Sequence, residues 1–225
     1  MLNLIVAPFE HNPVAERRTK KIVKYLKTQQ VEYSVYFSLN FENLKESVKQ
    51  LISYGENEFV IVGDDLVIST VLSCIKDISK IKIGIVPTSK KDDFASYLGI
   101  SPNPIQAIKD VLPKNISNID IMIANDMMVL NTISIGATVE VFHAYNQYKI
   151  KNLISEKIAT VKHGNSFSGI NLTLENKGKS KKETIFELVV ANGGLSKGKP
   201  VSPLSNLQDG LFINTAGYRQ GNYLR

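Results

Sequence analysis

The chain has 225 residues, 43% hydrophobic and 21% charged, with a net charge of +6 and a pI near 9.2. That balance excludes an intrinsically disordered polymer, and no apolar run is long enough to cross a bilayer. The lone Cys74 excludes an intrachain disulfide and a thiolate zinc site; within Val71-Leu72-Ser73-Cys74-Ile75 it is expected to be a small buried hydrophobe.

The start, Met1 to Pro8, is apolar but has no basic leader and no small-residue cleavage site, so it is expected to be a buried strand over Leu2 to Ala7. A helix follows over Ala15 to Lys27, with Ile22, Val23 and Leu26 on one stripe. Val31 to Phe37 is β-branched and aromatic, hence a strand. Phe41 to Ser53 has Leu44, Val48, Leu51 and Ile52 at helical spacing, with Asn40 or Asn43 as its cap. A strand over Glu58 to Gly63, a helix over Leu66 to Ile75 and a strand over Ile81 to Val86 come next. Short helices are expected over Asp92 to Leu98 and Pro104 to Leu112. Strand and helix alternating in this rhythm imply a parallel sheet, whose ligands bind beyond the carboxyl ends of the strands. The turns after Val62 and Val86 are therefore the candidate site.

Beyond Asn118 the pattern changes. Strands are expected over Asp120 to Ala124 and Met127 to Ser134, then a helix over Thr138 to Ile154. Gly169 to Leu174 alternates in hydrophobicity, and Thr184 to Ala191 is its expected partner across the polar connection from Glu175 to Lys182. The fold class is an α/β N-terminal domain with a parallel sheet, over 1–118, followed by a mainly antiparallel, β-rich C-terminal domain over 119–225. The protein is expected to be soluble and cytoplasmic, with peripheral contact at a membrane left open.

The basic surface favours an anionic partner: nucleotide, acidic lipid headgroup or nucleic acid. Two clusters stand out, Arg17, Arg18, Lys20, Lys21, Lys24 and Lys27 on a helix, and Lys177, Lys179, Lys181 and Lys182 at a turn. Each is more often a solvated face than a specific site.

The turn after the third strand reads Val62-Gly63-Asp64-Asp65-Leu66. That after the fourth reads Pro87-Thr88-Ser89-Lys90-Lys91-Asp92-Asp93-Phe94-Ala95, then Leu98-Gly99-Ile100. These segments resemble the lipid kinase family of diacylglycerol, sphingosine and ceramide kinases. That family carries Gly-Gly-Asp-Gly-Thr at the first turn and Pro-Thr-Gly-Thr-Gly-Asn-Asp-Phe-Ala at the second. Asn131 to Glu140, Val190 to Gly193 and Ser202 to Leu211 resemble later family segments in the right order. The resemblance implies a first domain like that of NAD kinase and phosphofructokinase, with ATP and Mg²⁺ as cofactors and a lipid hydroxyl as phosphate acceptor. Nucleic acid is then not expected, and a homodimer stays open.

Carried over residue by residue, the nucleotide-binding candidates are Gly63, Asp64, Thr88, Ser89 and Asp93. Asp209, beside Gly210, is a weak metal candidate, with an ordinary turn aspartate the equal alternative. Asp64 and Asp93 have helix-start roles as alternatives, and Thr88 a turn role. His11, in the loop after the first strand, is either a ligand contact or a solvated histidine. No catalytic residue is assigned. Val62 and Leu66 replace family residues that approach phosphate, Asp65 and Asp92 add negative charge, and Ser89-Lys90-Lys91 replaces a glycine turn. The family's later Asp-Gly-Glu segment, which holds its proposed general base, has no counterpart up to Arg225. The expectation is a divergent member of low or absent activity. An active kinase using lysine substitutes and a non-catalytic module for anionic membrane or protein are the alternatives.

Overall fold

Four short segments, read from sequence as strands, lie side by side in one parallel sheet: β1 (Leu2–Val6), β2 (Tyr33–Tyr36), β3 (Glu58–Gly63) and β4 (Lys82–Pro87), in the order β2-β1-β3-β4. A computed structural model describes residues 1–89, 92–148, 153–164, 166–176, 178–196, 199–200 and 206–217. Ile5 pairs with Ile61, and Ile61 with Ile85, so the three expected strands share one sheet. Leu4, Ile5, Val60, Ile61 and Val62 are essentially inaccessible, as burial on both sheet faces requires.

The helices carry the complementary stripes. α1 (Pro13–Thr28) buries Ala15, Thr19, Ile22 and Leu26 and starts at Asn12, whose side chain accepts from Val14 N with Pro13 at the first helical position. α2 (Phe41–Ser53) buries Leu44, Val48 and Leu51; Asn40 is its cap, accepting from Asn43 N. α3 (Asp65–Ser73), α4 (Asp93–Tyr97) and α5 (Pro104–Val111) complete the crossovers. Cys74 follows α3 half-buried, and its thiol donates to Thr70 O at 3.3 Å.

The later part is antiparallel. β5 (Met122–Ala124) pairs with β6 (Met127–Val129). β7 (Thr132–Gly136) leads into α6 (Ala137–Asn146), and α7 (Leu153–Ala159) runs on into a π-helical turn, Thr160–Gly164. β8 (Ile170–Asn176) pairs with β9 (Lys179–Ile185), and β10 (Glu187–Ala191) lies between β7 and β13 (Ile213–Gly217). β11 (Leu195–Ser196) and β12 (Lys199–Pro200) form a small pair.

Three expectations need correction. The single strand over Met127 to Ser134 is two, because Asn131 leaves the ladder: its carbonyl accepts from Asn192 N and its amide donates to Leu195 O. The helix begun at Thr138 ends at Asn146, and a second begins at Leu153. The polar connection after Glu175 is itself largely strand, turning at Gly178 with φ +77°, and Thr184 to Ala191 divides at Phe186 between two sheets. Phe186 N donates to Gly217 O while its carbonyl accepts from Ala137 N, so this residue already belongs to the β7-β10-β13 neighbourhood.

Contacts within the chain define two compact units. The first is Met1–Asn131 with Asn192–Leu211; the second is Thr132–Ala191 with the described residues from Phe212.

Candidate functional site

In a parallel sheet the backbone leaves every strand at the same edge, so the turns after β1, β3 and β4 gather at one end. Hydrogen bonds lace the three together. Asn12, after β1, donates from Nδ2 to Thr88 Oγ1 at 2.9 Å. Arg18, on α1, donates from Nη1 to Pro87 O at 3.0 Å and Pro102 O at 2.6 Å. His11 Nε2 lies 2.7 Å from Asp64 Oδ2, and its ring packs at 5.0 Å against that of Phe41.

Gly63 ends β3. A Cβ there would sit 2.8 Å from Val67 Cβ, so strand–helix packing alone requires glycine. Asp64 is the cap of α3, its Oδ1 accepting from Val67 N at 3.1 Å. Asp65 turns inward, where its Oδ2 accepts from Phe94 N at 3.3 Å and its Oδ1 is buried without a hydrogen-bond partner. Burial pushes the Asp65 carboxyl up to about 6; the Phe94 N–H opposes this, and the charges of Asp92, Asp93 and Asp64 add to it. Leu66, by contrast, is exposed, and Val62 belongs to the sheet core.

At the β4 turn Thr88 is buried and Ser89 half-buried. Asp92 makes no side-chain cap bond to α4. Its Oδ2 instead accepts from Thr88 N at 2.7 Å and Ser89 N at 3.0 Å. Burial raises the Asp92 carboxyl above its ordinary value, opposed by the Ser89 and Thr88 amides, while the charge of Asp64 adds to the rise and Arg18 lowers it. Asp93 opens α4. Lys90 and Lys91 lie outside the described residues.

The β3 and β4 turns thus bring Gly63, Asp64, Thr88, Ser89 and Asp93 to one edge of one sheet. Asp209 sits elsewhere, on an exposed turn: its Oδ1 accepts from Leu211 N at 3.0 Å, and neighbouring Gly210 N donates to Asp120 Oδ2 at 2.7 Å. Among the described residues, no group of three or more His, Cys, Asp or Glu is placed to hold a metal ion.

Sequence reasoning missed Asn12 and Ser38, and named Arg18 only as one of a basic cluster on a helix. Asn12 before Pro13 signals a helix start, but nothing local announces a bond to Thr88. Ser38 ends a depression of about 300 Å³ that Phe9, Asn12, Phe37 and Leu39 also line. Ser38 Oγ is buried there with no hydrogen-bond partner.

The family model for the diacylglycerol kinase catalytic domain matches residues 2–124. A Staphylococcus haemolyticus protein provisionally named a lipid kinase is 29% identical over 158 residues, 68% of this chain and 50% of that protein. A Staphylococcus carnosus protein, also provisionally named a lipid kinase, is 33% identical over 82 residues, 36% of this chain and 27% of that protein. The chain therefore matches half or less of the length of these relatives. A Bacillus anthracis structure named as a diacylglycerol kinase superposes with a TM-score of 0.73 at 17% identity, covering 98% of this chain and 74% of that one. A second from the same organism, provisionally named a diacylglycerol kinase, gives 0.73 at 18%, covering 97% and 75%. At such identities the structures speak for the fold, and the family match, which takes in more than half the sequence, speaks for descent: this chain belongs to the diacylglycerol kinase catalytic domain family.

Proposed function

We propose that this protein is a lipid-kinase-family member whose β3 and β4 turns grip nucleotide phosphate poorly, so that transfer of the ATP γ-phosphate to a lipid hydroxyl is slow or absent. The observation that carries this reading is the Asp92 carboxylate lying on the Thr88 and Ser89 amides. Those two N–H groups are what a phosphate oxygen would need at this turn, and an anionic acceptor of the chain's own already holds them. An asparagine, the family's residue here, could also accept, but it would add an N–H donor and no charge.

The surrounding charge points the same way. Asp64, Asp65, Asp92 and Asp93 meet at the turns, and burial makes two of them reluctant to ionise. A helix N-terminus attracts anions, yet that of α3 already has Asp64 as cap and Asp65 in its first turn. Asp64 spends one oxygen on Val67 N and the other on His11. The described donors and acceptors therefore do not fit a bound triphosphate with its divalent ion, and no catalytic step is derived through either. The depression at Phe9, Phe37 and Leu39 supports a narrower retained capacity: its apolar side chains with Glu16 among them suit a flat, uncharged ring better than a phosphate chain.

Calorimetric titration with ATP and Mg²⁺ tests the binding half, with adenosine as the phosphate-free probe. Adenosine should bind about as well as ATP. Phosphatidic acid formation from diacylglycerol tests the chemical half and should stay at background, because losing one preorganised donor costs roughly 3 kcal/mol and several are engaged here. Asp92→Asn, which takes the negative charge off the Thr88 and Ser89 amides, should gain ATP affinity. Micromolar ATP binding with robust turnover by the unaltered protein would overturn the proposal and favour an active kinase that relies on Lys90 and Lys91.

A further inference from the structure

The amino edge of the parallel sheet carries a depression of its own, at the far end of β3 and β4 from the nucleotide turns. The segments entering β3 and β4, with the carboxyl ends of α2 and α3, enclose a space of about 470 Å³, within the range that small-molecule sites occupy. Its wall is apolar: Ile75 is buried, and Ile52, Cys74 and Ile81 are half-buried. The Cys74 thiol belongs to that wall, since its hydrogen is given to Thr70 O. Burial pushes the thiol up, and the nearby charges of Lys49 and Lys45 oppose the rise.

Lys49, Lys76 and Lys80 stand at the rim beside the acids Glu56 and Asp77. Both acids are already engaged. Glu56 accepts from Asn3 Nδ2 at 2.7 Å, while Asp77 accepts from Ser79 N at 3.2 Å and pairs with Lys80 at 3.3 Å. Lys49 and Lys76 are exposed and, among the described residues, form no ion pair. The carboxyl end of a helix ordinarily favours a cation through its free carbonyls. Here those carbonyls are taken: Gln50, Leu51 and Ile52 of α2 accept from Tyr54, Glu56 and Gly55, and Val71 and Leu72 of α3 accept from Cys74 and Ile75. The charge left for a ligand is therefore that of the two unpaired ammonium groups, above an aliphatic floor.

We propose that this depression is a second small-molecule site, for an organic anion with a compact apolar body: the body lies on Ile52, Ile75 and Ile81, and its phosphate or carboxylate head pairs with Lys49 and Lys76. Lysine meets either head as a point charge, so the two share one mode of recognition. The inference goes beyond the nucleotide reading and does not depend on it. The site lies at the other end of α3 from Asp64, and no residue of the β3 or β4 turn takes part.

Cys74 is the chain's single cysteine, so its alkylation by uncharged N-ethylmaleimide reports on this site alone. Naphthyl phosphate and naphthoate should each slow that reaction several-fold at saturation. Inorganic phosphate, which lacks the body, and naphthol, which lacks the charge, should protect far less. Lys49→Gln with Lys76→Gln should weaken either anion by about fivefold, two exposed charge pairs being lost. The comparison is of rates with and without ligand, because removing Lys49 also changes the thiol's own rate. Lys21→Gln with Lys24→Gln, on α1, should leave the protection intact. All four lysines are exposed, so both variants should keep the parent's thermal midpoint. In calorimetric titration with naphthyl phosphate, protein already alkylated at Cys74 should bind far more weakly than the parent. A parent that neither anion protects overturns the proposal, and so does a folded Lys49/Lys76 variant protected as well as the parent. Equal protection by inorganic phosphate would mark an adventitious ion only, and equal protection by naphthol a bare apolar surface; either sinks the assignment. Undiminished binding to the alkylated protein would place the ligand elsewhere and overturn it as well.

Discussion

Strand β3 carries acids at both ends, and its surroundings push them in opposite directions. At the amino end Glu58 is half-buried and bonded to Lys114 at 2.6 Å and Lys82 at 2.9 Å. Those two hydrogen bonds draw its carboxyl down to about 2, against a small burial effect. Past the carboxyl end Asp65 is largely buried, has one unpartnered oxygen and stands among three other carboxylates, and its carboxyl rises to about 6. One end has its charges matched by lysines at little consequence, as exposed pairs generally are. The other holds charge that the fold would be more stable without. Such electrostatic discomfort concentrates where a chain's turns are shaped for a ligand.

The largest effect should come from removing that discomfort. Moving the Asp65 carboxyl from 3.8 to about 6 corresponds to roughly 3 kcal/mol. The folded state holds this proton more tightly than the unfolded state. The cost is therefore absent below about pH 3.8, grows as pH rises and is complete above about pH 6. Asp65→Asn keeps an acceptor for Phe94 N and cannot ionise. In urea unfolding it should be more stable than the parent by about 2–3 kcal/mol at neutral pH, and equal to it near pH 4. Equal stabilities at both pH values would mean that Asp65 is solvated and that the two ends of β3 do not differ as described.

Asp92 should respond differently, because its carboxylate holds two amides. Asp92→Ala leaves Thr88 N and Ser89 N without their acceptor, at about 1–3 kcal/mol for an orphaned buried group, partly offset by losing a disfavoured charge. A net loss of about 1 kcal/mol is expected at neutral pH, together with tighter binding of inorganic phosphate. Lost stability with unchanged phosphate affinity would make Asp92 a turn brace and nothing more.

How much of this was legible depended on what each segment faces. Phe41–Ser53 and Glu58–Gly63 were readable to the residue, because a helix with one buried stripe and a strand buried on both faces leave plain marks in the order of residues. The β8-β9 ribbon left far weaker ones. From Lys179 to Ser180 and on through Lys182 every residue is exposed, so no alternation distinguished strand from loop. At the candidate site, motif spacing pointed to the turns, since glycine, proline and aspartate mark where strands end. The bonds that join the turns were invisible: Asn12 to Thr88 and Arg18 to Pro87 are far apart in sequence and obey no local pattern. That Asp65 would turn inward and Asp64 outward was equally hidden in two adjacent, identical residues.

Asp64 offers an intermediate case between the ends of β3, since it is half-exposed and fully engaged. Asp64→Ala removes a helix cap and the contact with His11, which together should cost about 1–2 kcal/mol. Asp64→Asn keeps the cap and should recover most of that loss in thermal unfolding. If it recovers nothing, the His11 contact carries the stability rather than the cap.

The smallest effect belongs to Glu58. Its folded carboxyl is depressed, so its contribution is present above about pH 4.5 and is lost as pH falls toward 2. That is the reverse of Asp65 in both sign and range. The side chain is 32% exposed and its lysine partners 49% and 63%, so screening should hold the stabilisation to below about 1 kcal/mol despite the two lysines. Glu58→Gln should therefore lower stability slightly at neutral pH, and added salt should shrink the difference further. Both differences vanish in acid, but as pH rises Glu58→Gln falls below the parent while Asp65→Asn climbs above it. A Glu58→Gln loss that exceeded the Asp65→Asn gain would invert the comparison. The lysine-paired end would then be the one that governs the pH dependence of folding, and the carboxyl end would lose its claim to be the strained one.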